Sequence, residues 1–156
     1  YRKSLFAEIG RFDEDFFCTY EDVDVSFRAQ LSGYRCLFVP SAVVRHVGGG
    51  TMGQDNLYTA YYGQRNLESV LFQNMPAGLL LKYLPVHCGY LILAFLYSIG
   101  KGRGGTFLRA KRDALVQIER VLAKRKEVQA KRKVSLRYLE GILDRRSLWQ
   151  HVVQAK

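Results

Sequence analysis

Between Glu21 and residue 47 a helical repeat gives way to strand-forming sequence, and this switch narrows the possible folds more than any other feature. From Glu21 to Leu31 the apolar residues Val23, Phe27 and Leu31 recur at i, i+4 and i+8, one face of a helix that Gly33 stops. Residues 34–39 are rich in aromatic and branched side chains and end at Pro40, and residues 42–47 form a second extended stretch. Gly48-Gly49-Gly50-Thr51 then makes a pliable loop. Upstream, residues 4–10 read as a short helix with Ser4 as N-cap and Gly10 as terminator, followed by the acidic, aromatic loop Phe12-Asp13-Glu14-Asp15-Phe16-Phe17. Helix, strand, extended segment and glycine loop in this order predict a piece of an α/β unit.

Beyond residue 55 the strand signals fade. Residues 56–74 read as a tyrosine-rich helix, and residues 79–99 are the most apolar stretch, interrupted by Lys82, Pro85, His87 and Gly89. A spanning helix needs about 20 mostly apolar residues. The cleanest run, residues 88–97, is half that, so the stretch reads as a core or interfacial segment. The glycine-rich residues 100–105 form a hinge, and residues 106–143 are helical again, with Ala114, Leu115, Ile118, Val121 and Leu122 on one face. An apolar content of 48% excludes a disordered chain. Cys18, Cys36 and Cys88 are an odd set without paired spacing, which argues against a disulfide framework and for a reducing compartment. The opening Tyr1-Arg2-Lys3-Ser4 lacks an initiator Met and a signal-peptide pattern, as expected of a piece of a longer protein.

The net charge of +10 is unevenly spread. Residues 1–60 hold six Lys/Arg against eight Asp/Glu, and residues 61–156 hold eighteen against six. Such a break predicts two working surfaces, an acidic one suited to chemistry and a basic one suited to phosphates. At the acidic front, Tyr20-Glu21-Asp22-Val23-Asp24 sets three carboxylates at a helix start. They serve there to offset the helix dipole, or to do acid–base work. The helix leads away from Asp22 for about 18 Å, and the extended residues are long enough to return. His46 is therefore expected near Asp22, beside the glycine loop, at the kind of rim where α/β proteins bind ligands.

Phe12-Asp13-Glu14-Asp15-Phe16-Phe17, Tyr20-Glu21-Asp22-Val23-Asp24-Val25, Arg28, Gly33-Tyr34, Pro40, Ala42 and His46-Val47-Gly48-Gly49 together resemble the C-terminal half of the catalytic domain of family 2 glycosyltransferases. The similarity is to the rhamnosyltransferase-like branch that builds bacterial surface polysaccharides, close over residues 1–75 and looser beyond. The resemblance implies a partial GT-A domain of α/β fold over residues 1–75, followed by a helical, basic, membrane-facing extension over residues 76–156. It implies inverting transfer of a sugar from a nucleotide-sugar donor to a lipid-linked or saccharide acceptor at the cytoplasmic face of the bacterial inner membrane.

The resemblance makes Asp22 the base that takes the proton of the attacking hydroxyl. Glu21 would orient that base or an acceptor hydroxyl, and Asp24 and Arg28 would pair one turn apart or help bind substrate. His46 would complete a site for Mn²⁺ or Mg²⁺, which would neutralise the leaving diphosphate. Gly48 and Gly49 would close over a donor or acceptor, or serve only as a flexible connector, and Arg65, within Tyr61-Tyr62-Gly63-Gln64-Arg65-Asn66, would meet an acceptor phosphate or form an ion pair on the helix surface. The family's Asp-x-Asp motif and nucleotide-binding strands are absent, so the chain is expected to lack a whole donor site and to be inactive alone. The Gln-x-x-Arg-Trp motif of processive members is absent too, which points to transfer of one or a few sugars.

For the basic rear, a solvated helical face, an anionic membrane surface and a nucleic acid all suit the charge. The preceding apolar stretch favours the membrane, and no nucleic-acid motif is present, so no nucleic acid is expected as a partner. The alternative to an enzyme is a membrane-surface or polyanion-binding helical protein whose acidic cluster only caps a helix.

Overall fold

The computed structural model describes residues 1–45 and 56–143. Among these residues the chain forms seven α-helices: α1 (Lys3–Ile9), α2 (Glu21–Leu31), α3 (Leu57–Asn74), α4 (Ala77–Gly100), α5 (Gly104–Val116), α6 (Ile118–Ala130) and α7 (Leu136–Ile142). A 3₁₀ turn, Glu14–Phe16, precedes α2. No strand occurs among the described residues, so the expected α/β architecture, a partial GT-A domain, is corrected to a helical one. The reason lies in residues 34–45. Strand propensity expresses how well side chains suit a pleated, half-buried surface, and a ladder needs a neighbouring strand. Among the described residues this segment pairs with no other, and Leu37, Phe38, Val43 and Val44 are exposed at 79%, 89%, 84% and 85%.

Helix ends follow local chemistry. Gly10 ends α1 at φ +83°, and Gly33 follows α2 at φ +88°, both in the left-handed region where a side chain is strained. α1 starts one residue before Ser4, with Arg2 at the N-cap and no side-chain cap. Asn56 caps α3 by accepting the Tyr58 N–H at 2.7 Å. The buried face of α2 differs from the expected Val23, Phe27, Leu31 stripe. Asp24, Val25, Arg28, Ala29 and Leu31 are buried, while Val23 is exposed. Burial of that face is possible because Asp24 and Arg28 neutralise each other across one turn, at 2.6 Å between Arg28 Nη2 and Asp24 Oδ2.

The same pair joins three elements. Arg28 donates to the carbonyls of Ile9 (2.6 Å), Gly10 (3.3 Å) and Arg11 (2.8 Å) at the end of α1. Asp24 Oδ1 accepts from Gln73 Nε2 (3.1 Å) and Asn74 Nδ2 (2.8 Å) at the end of α3. α6 closes that end, where Arg125 Nη1 donates to the carbonyls of Phe72 and Met75, both at 2.6 Å, and Gln129 Nε2 to that of Asn74 at 2.8 Å. Cations there also meet the negative end of the α3 dipole. Apolar packing fills in around these bonds. Leu5, Ile9, Val25 and Ala29 form one cluster, and Leu31, Met75, Leu79 and Leu139 another.

Part of the basic rear folds onto the acidic front. Lys124 of α6 bonds Asp13 Oδ1 at 2.5 Å and Asp15 Oδ2 at 2.7 Å. Arg120 reaches Asp15 at 3.1 Å, and Lys133 pairs with Glu8. α4 stands apart in composition. It is 24 residues long with Pro85 inside it, and Leu81, Val86, Ile92, Leu93, Leu96 and Ile99 are exposed.

Asp24→Ala leaves the Arg28 guanidinium buried without its counter-ion, and the expected loss is about 3–5 kcal/mol. Urea unfolding of this chain measures it, and a loss below about 1 kcal/mol would show that the pair does not organise the interior. The Lys124 clamp sets a pH window. The hydrogen bond from Lys124 holds the Asp15 carboxyl below the usual range. Burial draws the Lys124 ammonium down, but its bonds to Asp13 and Asp15 outweigh this and leave it above its ordinary value. The Asp15 contribution is present above the unfolded pKa near 3.9 and is lost as pH falls through the lower folded value. The Lys124 contribution is present below about 10.4 and is lost as pH rises through the higher folded value. Melting curves should therefore show Lys124→Met costing most between about pH 5 and 9, with the difference from wild type shrinking toward pH 2.

Candidate active site

Glu21 and Asp22 open α2, and the structure treats them differently. Asp22 is exposed, and its Oδ1 accepts the Val23 N–H at 2.8 Å. Glu21 is half-buried, and its Oε2 meets no donor among the described residues. Thr19 Oγ1, two residues earlier, is likewise buried without a hydrogen-bond partner. A carboxylate open to solvent is chemically competent to receive a proton from a bound alcohol, whereas the Glu21 Oε2 and Thr19 Oγ1 atoms are shut away from solvent. Asp24 faces inward instead, with all its contacts to the protein interior described above.

The chain enters this helix through a strained turn. Phe17, Thr19 and Tyr20 have φ of 58°, 62° and 70°, and none of them is glycine. Such backbone costs about 1–3 kcal/mol per residue, and it is least natural for a β-branched side chain such as that of Thr19. Tyr20 occupies the N-cap of α2 without a side-chain cap, so Glu21, Asp22 and Asp24 answer the positive end of the helix electrostatically. Burial, and next the Glu21 carboxylate, push the Cys18 thiol up. Burial also raises the Tyr20 phenol.

α3 holds the turn. Asn66, 1% exposed, donates from Nδ2 to the carbonyls of Phe16 (2.8 Å), Cys18 (2.7 Å) and Thr19 (2.9 Å). Arg65 donates from Nη2 to the carbonyls of Asp15 (2.5 Å) and Phe16 (3.4 Å), and from Nε to Asn66 Oδ1 (2.9 Å). Its guanidinium lies 4.7 Å from the centre of the Tyr62 ring, which in turn packs against Phe17. Nearby, Glu68 bonds His87 Nε2 at 2.9 Å and Lys111 Nζ at 2.5 Å, joining α3, α4 and α5. Burial raises the Glu68 carboxyl, but the bonds from His87 and Lys111 outweigh it and leave the group below its usual range. Burial draws the Lys111 ammonium down, and Glu68 offsets this only in part.

Among the residues expected at the site, Glu21 and Asp22 stand together at the head of α2. Asp24 and Arg28 form the i, i+4 pair in the interior, and Arg65 directs its donors to the turn. His46, Gly48 and Gly49 lie outside the described residues, so the convergence of Asp22 with His46 does too. Among the described residues no group of three or more His, Cys, Asp or Glu could hold a metal ion. They do not by themselves fit the Mn²⁺ or Mg²⁺ that the resemblance implied. Sequence reasoning missed the Glu68–His87–Lys111 cluster and the role of Asn66. The signals were polar residues in the middle of otherwise continuous helices, where Asn has no intrinsic reason to be.

Comparison with known proteins places this arrangement. Over 54 residues the chain is 41% identical to the N-acetylglucosaminyl-diphospho-decaprenol L-rhamnosyltransferase of two Mycobacterium tuberculosis strains, CDC 1551 / Oshkosh and ATCC 25618 / H37Rv. The matched stretch is 35% of this chain and 18% of the relative, so the chain spans less than a fifth of the curated relatives it matches. No solved structure matches. The family model described as glycosyl transferase family group 2 matches residues 1–108, which include the acidic turn, α2, α3 and α4, and the chain belongs to that family.

Proposed function

We propose that this chain carries the acceptor-side part of a glycosyltransferase that moves a sugar from a nucleotide-sugar to a lipid-linked saccharide, with inversion. The observation that carries the reading is the solvent-facing carboxylate of Asp22 at the head of α2, presented by a strained and firmly held turn. Asp22 takes the proton of the acceptor hydroxyl while that oxygen bonds the anomeric carbon. The bond from that carbon to the nucleotide diphosphate breaks on the opposite face. Glu21, beside it at the head of α2, orients the base. The name of the mycobacterial relative, a transferase acting on a sugar-diphospho-polyprenol, supports a lipid-linked acceptor.

A membrane-bound acceptor needs an enzyme that sits at the bilayer, and α4 supports this. Its apolar window has a mean hydropathy of 1.7, and only 6% of that window is buried inside the protein. One face of α4 is fastened to the helical body by Lys82–Glu140, His87–Glu68 and Tyr90–Gln64 contacts. Those polar bonds fix the helix lengthwise against α3 and α7, so we read it as lying on the membrane rather than crossing it. The opposite face carries Ile92, Leu96 and Ile99, and α5 adds the exposed Leu108, Leu115 and Val116. Arg109 and Arg112 on α5 suit anionic headgroups. The proposed location is peripheral, at the cytoplasmic face of a bacterial inner membrane.

In the complete enzyme Asp22→Asn keeps the shape and removes the base, and turnover should fall at least about 100-fold. Unchanged turnover would discard the assignment. In flotation assays this chain should rise with phosphatidylglycerol-containing vesicles and not with purely phosphatidylcholine ones, and Ile92→Glu with Leu96→Glu should abolish the rise. Equal binding to both vesicle types, or no effect of the double substitution, would remove the membrane reading.

A further inference from the structure

The turn before α2 shows a correspondence between three carbonyls and three strained residues. Asn66 bonds the carbonyls of Phe16, Cys18 and Thr19. The residues that follow these carbonyls are Phe17, Thr19 and Tyr20, the non-glycine residues with positive φ. A carbonyl's direction fixes the peptide plane, and that plane sets φ of the next residue. One amide thus bonds the carbonyl ahead of each left-handed residue, and the Phe16 carbonyl also accepts from the Cys18 N–H at 2.6 Å and Arg65 Nη2 at 3.4 Å. The amide nitrogen has two hydrogens for three acceptors, so one bond is shared, a geometry met only if the carbonyls converge on one point. Its own oxygen is taken by Arg65 Nε at 2.9 Å, which fixes which end of the amide faces the turn.

We propose that Asn66 is a positioning residue for sugar transfer: it imposes the left-handed turn of residues 17–20 and thereby aims the carboxylates of Glu21 and Asp22. This rests on the reading of Asp22 as the base. Asparagine in the middle of a helix offers α3 no intrinsic advantage, and the bonds of this buried side chain run only to the turn and to Arg65. Strained backbone persists only where its surroundings over-determine it, and it concentrates at functional sites. The strain sits immediately before Glu21-Asp22, with Tyr20 serving as the N-cap of α2. Glu21, Asp22 and Asp24 share the first turn of α2, so a change in the preceding turn shifts the two outer carboxylates while Asp24 stays tied to Arg28.

The test uses Asn66→Asp in the complete enzyme, a near-isosteric change that turns a donor into an acceptor facing three carbonyls. Activity is read with a nucleotide-linked L-rhamnose donor and an N-acetylglucosaminyl-diphospho-polyprenol acceptor, well below the melting temperature. The expected result is a fall in kcat of about 10–100-fold, the scale of a small misplacement of reacting groups. Donor KM should stay within about twofold, and amide exchange should rise at residues 17–22 but not in α5 or α6. Thr19→Gly with Tyr20→Gly in the Asn66→Asp background should return part of kcat, since glycine adopts positive φ without help. If Asp22→Asn is inactive while Asn66→Asp retains full kcat, the positioning role is overturned and the base stands. If Asp22→Asn is fully active, the base reading falls and this inference with it.

Discussion

Asp24 and Arg28 neutralise each other in the interior, and each also bonds a different part of the chain, so three segments are fixed by one charge pair. The guanidinium gathers the carbonyls that end α1, and the carboxylate gathers the amides that end α3. Buried ion pairs add little net stability compared with a well-packed apolar core, because desolvation opposes attraction. What this pair supplies is registry. The position of α2 relative to α1 and α3 follows from it.

Polar bonding of this kind runs through the whole helical body. α3 buries Asn66, Glu68, Ser69, Gln73 and Asn74, and each has a partner on another element or on the turn. An interior of this sort is tolerant of little, since any unmatched donor or acceptor carries its full desolvation cost. It also explains the use of so many cations. Lys111, Lys124 and Arg125 bond carboxylates or helix-end carbonyls rather than solvent. The basic residues that remain outward, Arg109 and Arg112 among them, lie beside the apolar surface of α4 and α5.

Helices were the most legible part of the sequence. Gly10 and Gly33 mark the ends of α1 and α2 for reasons of backbone geometry, and the structure uses both. The i, i+4 spacing of Asp24 and Arg28 also announced their pairing. Two things were not legible. Residues 34–45 have strand composition, but pairing is a property of two segments, and composition describes one. The buried side of α2 was misjudged because apolar periodicity counts charges as outward, whereas Asp24 and Arg28 go inward together. Asn66 was visible as a letter beside Arg65, yet its task depends on carbonyls 47 to 50 positions away.

Residues 34–45 have a practical bearing on handling the chain. Leu37, Phe38, Val39, Val43 and Val44 turn apolar side chains outward on either side of a turn at residues 40–41, and among the described residues no ladder takes up the backbone amides beside them. Such a stretch is a template on which a second molecule can add its own equivalent stretch, edge to edge. The charge of +10 opposes that encounter at low ionic strength. Added salt screens the repulsion while leaving the sticky edge intact. Concentrated, salty buffers therefore favour self-association, and dilute, low-salt ones keep the molecules apart.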